Sequence, residues 1–163
     1  MEDRDVVEAQ LGRPPRALRR AVCRCPWGRP AVTEQHPYDA AGEPFPTTFY
    51  LTCPHLVSAV ARLEAAGGVE RWSAAVALEP VLAASVERAA EEQRRVRRAL
   101  ADGRTGRDEG ASLDSGIGGS QRPERLKCLH AHVAFALARP GYELGDRVLA
   151  ELGELWPSSC CSG

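Results

Sequence analysis

The chain has 163 residues, 44% hydrophobic and 26% charged, with a net charge of −1. That length suffices for one domain with a continuous core, and the near-zero charge excludes a bulk field that would hold nucleic acid or an anionic membrane. No stretch approaches the ~18 consecutive apolar residues of a membrane span, and the charged start Met1-Glu2-Asp3-Arg4-Asp5 has no apolar signal region.

Residues 5–11 place Val6, Val7 and Leu11 at helical spacing, and Gly12 with Pro14-Pro15 ends the pattern. Residues 16–23 and 30–33 read as short strands around a turn at Pro26-Trp27-Gly28-Arg29. The run 45–52, with Thr47, Thr48, Phe49, Tyr50 and Leu51, is the strongest strand signal. Pro54 suits a first helical position, and Leu56, Val60 and Leu63 form an apolar stripe that Gly67-Gly68 ends. A short helix through Trp72 and Val76 follows, then a long one from Pro80 to about Leu100. Its Arg94, Arg95, Arg97 and Arg98, with Glu91 spaced to pair with Arg95, read as a solvated face. Residues 101–121 hold six glycines and are expected to be a flexible loop. Helices from Pro123 to about Ala138 and from Leu144 to Leu155 complete the pattern, and residues 158–163 are expected to be a disordered tail. The sum is a single α+β domain over residues 5–157: a small N-terminal antiparallel sheet of about three strands packed with four to five helices.

A cytoplasmic location is expected, and there six cysteines favour metal binding, catalysis or burial over disulfides. Cys25 lies in a proline- and glycine-containing turn, Cys53 at a strand-to-helix junction, and Cys128 in the first turn of a helix with His130 and His132. Zinc takes thiolate and imidazole ligands and relieves the cost of burying a thiolate. Cys25, Cys53, Cys128 and one of the two histidines are therefore the expected zinc set, an iron–sulfur cluster being the alternative. At ~100° per residue, Cys128 and His132 share a helix face while His130 turns toward the apolar side. Plain burial of the thiols is the competing reading, and a catalytic Cys128 with His132 as base the third. Cys23, Cys160 and Cys161 receive no role. The glycines before the last-but-one helix, Gly118 and Gly119, with Arg122, Arg125 and Lys127, could hold an anion, although the spacing is neither the dinucleotide fingerprint nor a P-loop.

Four ordered motifs carry a resemblance. Arg24-Cys25-Pro26 with Gly28, Pro30 and Val32 comes first, then the run from Pro44 to Pro54, then Arg62-Leu63-Glu64-Ala65, then Lys127-Cys128-Leu129-His130. Together they resemble the actinobacterial family known as domain of unknown function 501, over about Val6 to Pro157. The resemblance brings no activity with it, so it leaves the enzyme question open. It implies His130 rather than His132 as the ligand beside Cys25 and Cys128, with histidine admissible at the position of Cys53. The family's genes lie beside those for a septum-formation initiator and an exopolyphosphatase. That implies two alternatives to a zinc protein: a non-catalytic partner in cell division, or a phosphate- or polyphosphate-related enzyme working through the glycine loop. Nucleic acid is not an expected partner. Residues 118–125 depart from the family pattern by carrying extra residues after the glycines.

Overall fold

The computed structural model describes residues 2–122 and 124–161. Strands β1 (Leu18–Arg24), β2 (Pro30–Gln35) and β3 (Phe49–Leu51) form an antiparallel sheet in the order β1-β2-β3. Around it lie α1 (Asp3–Leu11), α2 (Pro54–Ala65), α3 (Gly68–Leu78), α4 (Pro80–Ala101), α5 (His130–Ala138) and α6 (Glu143–Leu152). The α+β class is borne out, with one helix more among the described residues than the upper expectation.

The β1–β2 hairpin closes on Cys25, whose amide donates to the Arg29 carbonyl and whose carbonyl accepts from Gly28, both at 2.9 Å. Gly28 takes a left-handed φ of 80°, which a side chain would resist. The central strand β2 is buried along its whole length, so both its faces are covered. On one face Phe49 meets Phe135 of α5 edge-on, ring centres 5.5 Å apart. On the other lies α1, from which Gln10 donates to the Pro30 carbonyl and, just beyond it, Arg13 to the Tyr50 hydroxyl.

Strand β3 is shorter than the expected run over 45–52. Pro46 has no N–H for a ladder, the Phe45 amide donates to the Pro37 carbonyl, and the Phe45 carbonyl is taken by Arg97. The chain joins the ladder only at Thr48, whose carbonyl accepts from the Gln35 amide, and pairs as β3 from Phe49. Helix α5 likewise starts later than expected. Lys127 adopts left-handed backbone with φ 50°, which no continuing helix permits, and Pro123 lies outside the described residues.

Residues 101–121, expected to be a flexible loop, contain two 3-10 turns, Ala111–Asp114 and Ile117–Gly119. Gln93 of α4 donates to the Gly116 carbonyl at 2.5 Å, and Asp108 accepts from the Tyr38 hydroxyl at 2.7 Å and from the amides of Gly110 and Ser112. Arg97 is no solvated residue. It is 0% exposed and donates to the carbonyls of Ser112 and Phe45 and to the Thr48 hydroxyl.

Helix α5 is apolar on all sides, as a fully enclosed helix must be, and six of its nine residues are buried. It meets α6 at Gly145, where an added Cβ would lie 2.6 Å from the Ala136 Cβ and 2.8 Å from the His132 carbonyl oxygen. Gly145→Ala is therefore expected to destabilise the fold by about 1–3 kcal/mol through overpacking, measured as a lower denaturant midpoint at unchanged slope.

Candidate functional site

The five residues expected to ligate zinc are drawn into separate environments. Cys25 is buried in the hairpin turn, and Cys53 is the buried N-cap residue of α2, its Sγ 3.9 Å from that of Cys161. Cys128 precedes α5, so the i,i+4 argument joining it to His132 does not hold. Burial pushes its thiol up. His130 is bracketed by oxygens: its Nδ1 is 3.2 Å from Glu64 Oε2 and its Nε2 3.2 Å from the Val57 carbonyl. His132 is 1% exposed, and its Nδ1 is hydrogen-bonded to the Tyr142 hydroxyl at 2.7 Å. Among the described residues no three Cys, His, Asp or Glu side chains are grouped so as to hold a metal ion.

The Glu64–His130 contact has a clear physical role. Helix α5 opens at Leu129 with no side-chain cap of its own, and Glu64 of α2 accepts from the Leu129 amide at 2.6 Å. A carboxylate from another helix thus satisfies a free N–H at the positive end of α5 and draws His130 to the same oxygen.

The glycine loop binds itself. The amides of Gly116, Gly119 and Ser120 donate to the carbonyls of Ser120, Gly116 and Ile117 respectively, and Lys127 Nζ donates to the Gly119 carbonyl. Gly118 packs toward Cys128 and Ala131 instead of opening outward. Arg122 and Arg125 are exposed.

A different basic site emerges on the far side of α4. A groove of about 320 Å³ runs between α4 and the turn joining α5 to α6, with Arg88, Arg95 and Arg139 on its walls and Phe135 and Tyr142 at its apolar end. Arg139 is held by Glu92, Nη1 to Oε1 3.1 Å, and lies over the Phe49 ring at 5.8 Å. Arg88 and Arg95 are exposed and make no ion pair among the described residues. Glu91 also lines the groove and has no ion pair among the described residues, so within them two unpaired guanidinium groups share the groove with one unpaired carboxylate. Ser85 is fully engaged, donating to the Leu82 carbonyl and accepting from the Leu144 amide at the start of α6. The sequence shows Arg88, Glu92 and Arg95 as one helical stripe, but nothing in it brings Arg139 alongside.

Comparison with known proteins adds one finding: residues 21–150 match the family model described as "Protein of unknown function (DUF501)". The chain belongs to that family. No curated protein and no solved structure matches it. The span shared with DUF501 begins within β1, contains β2, β3, the Glu64 cap, α5 and all three groove arginines, and ends within α6, before the C-terminal tail. No described helix of this DUF501 chain is long and apolar enough to cross a membrane.

Two outcomes follow for the DUF501 fold. Glu64→Ala should cost about 1–3 kcal/mol by leaving the Leu129 amide without its acceptor, measured by chemical denaturation. Burial holds the His132 pKa down at about 4, the Leu126 carbonyl offsetting only part of that effect. The unfolded chain therefore takes up the His132 proton first, so stability falls as pH drops from about 6.5 to 4. Relative to His132→Phe, the wild-type protein should lose on the order of 3 kcal/mol across that window, read from denaturant midpoints at each pH.

Proposed function

We propose that this protein is a binding protein for a small phosphate-bearing ligand, held in the groove between α4 and the α5–α6 turn. The observation that carries the reading is the pair Arg88 and Arg95, both without an ion pair among the described residues and two helical turns apart on one wall of the groove. Guanidinium forks match phosphate oxygens in a bidentate fashion, which makes arginine the side chain of choice for such ligands. Seven residues of helix separate the two Cα atoms by about 10 Å, a span long flexible side chains close around a group with more than one charge. Phe135, Pro140 and Tyr142 supply an apolar wall for the uncharged part of the ligand.

Binding rather than catalysis is supported by the state of the polar side chains. Ser85 is spent on the backbone, the Tyr142 hydroxyl is turned inward to His132, and Arg139 is paired with Glu92. The remaining chemistry is charge. Compared with the glycine loop, where the Gly116, Gly119 and Ser120 amides are bonded internally, the groove offers arginine donors that have no partner among the described residues.

The test is calorimetric titration of the full chain with inorganic pyrophosphate, and with citrate as a carboxylate control. Saturable pyrophosphate binding is expected, weakened at least 10-fold in the Arg88→Ala/Arg95→Ala double variant and reduced at high salt. The thermal midpoint of that variant should stay within a degree or two of wild type, since both side chains are exposed. Absence of saturable binding, or binding that survives the double substitution, overturns the reading, and tighter binding of citrate than of pyrophosphate removes the phosphate preference.

A further inference from the structure

Cys53 and Cys161 are 108 residues apart in the chain, yet their sulfurs lie 3.9 Å from one another. The path that brings them together is visible in the packing. After α6 the chain turns at Gly153, and Leu155 and Trp156 settle, half-buried, against the main core. These two anchors leave a short tether, 157–160, that returns Cys161 to the start of α2. Cys53 itself is 3% exposed beneath that tether, while Cys161 is exposed.

We infer that Cys53 and Cys161 form a reversible disulfide that fastens the C-terminal tail over the N-terminus of α2. The two sulfurs need to close by about 2 Å to reach bonding distance, a movement the short tail can supply while the core residue stays still. Exposure decides the order of events. The thiolate of Cys161 attacks a low-molecular-weight disulfide, forming a mixed disulfide and releasing one thiolate. The thiolate of Cys53 then attacks the Cys161 sulfur, forming the protein disulfide and releasing the second thiolate. Both cysteine protons pass through solvent to the two departing thiolates, so two protein thiols are oxidised and one small disulfide is reduced to two thiols.

Burial pushes the Cys53 thiol up, and the amides of Leu56 and His55 at the start of α2 pull it part of the way back. Cys53 is thus protected from direct attack and reacts once its neighbour is activated. The arrangement is independent of the arginine groove. It also crosses the boundary of the family match, since Cys53 lies inside residues 21–150 and Cys161 outside them.

The reduced full chain is treated with oxidised glutathione and mapped by thiol titration, alkylation and peptide mass spectrometry. Oxidation should remove two of the six thiols and yield a Cys53–Cys161 cross-linked peptide. The thermal midpoint should rise by several degrees, returning on reduction. Cys160→Ser should behave as wild type, whereas Cys161→Ser should leave Cys53 unlinked and abolish the rise. Both substitutions sit in the tail, so folding is not at stake. The inference is overturned if Cys53 remains alkylatable after complete oxidation. It is equally overturned if the cross-link found joins Cys160 to Cys161, Cys53 to Cys160, or two chains.

Discussion

A guanidinium with no access to water organises this molecule. Arg97 cannot shed its charge, and burial of a charge costs several kcal/mol unless nearby dipoles replace the lost water. Here part of the replacement comes from two segments far apart in the chain, the carbonyl of Phe45 with the hydroxyl of Thr48 and the carbonyl of Ser112, while the buried Nη2 has no hydrogen-bond partner among the described residues. Engaging the one side chain at Nε and Nη1 draws the approach to β3 and the long connection after α4 onto the same helix. Asp108 and Tyr38 add a second tie between those loops. Burial alone would raise the Asp108 carboxyl, but the hydrogen bonds it accepts outweigh that and hold it at about 2. With the loops fixed on one side of α4, its other side is left to face the α5–α6 turn. Arg95 and Arg97, two residues apart, point about 200° from one another around the helix. One arginine run supplies both the internal lock and a wall of the groove.

Helix α5 is the second element on which the arrangement turns. Being apolar all round, it has to be enclosed, and the sheet, α2 and α6 enclose it. Each end is then tied to a neighbouring helix by a side-chain contact. At the start, Glu64 takes the Leu129 amide and His130; at the finish, Arg139 reaches back to Glu92 of α4. The motifs around Arg62-Leu63-Glu64-Ala65 and Cys128-Leu129-His130 meet through that carboxylate and that amide. Inside the helix, His132 stays neutral against Tyr142, whose hydroxyl burial also pushes up.

Much of the architecture was legible because it rests on local rules. The apolar stripe of Leu56 and Val60 behind Pro54, the proline at the start of α4, and the Cys25–Gly28 turn all appear where spacing and turn chemistry place them. The failures are equally specific. Strand β3 lost its first half because the Phe45 carbonyl had a better partner in Arg97. Helix α5 lost its first turns because Lys127 took a left-handed conformation, and with them went the face that would have aligned Cys128 with His132. The arginine run was read as solvent-facing because exposed and buried arginines look alike until their acceptors are known.

Sequence by itself determined the α+β class, the family and the identity of the chemistry-bearing residues, since these depend on periodicity, turn residues and ordered motifs. Tertiary structure alone decided which of those residues meet. It paired Glu64 with Leu129 and His130, gathered Arg88, Arg95 and Arg139 around one groove, and set Cys161 beside Cys53. The reason is physical. Each of these meetings joins side chains from different segments, and their proximity is set by how α5 is enclosed and how the charge of Arg97 is satisfied, neither of which leaves a periodic trace in the chain.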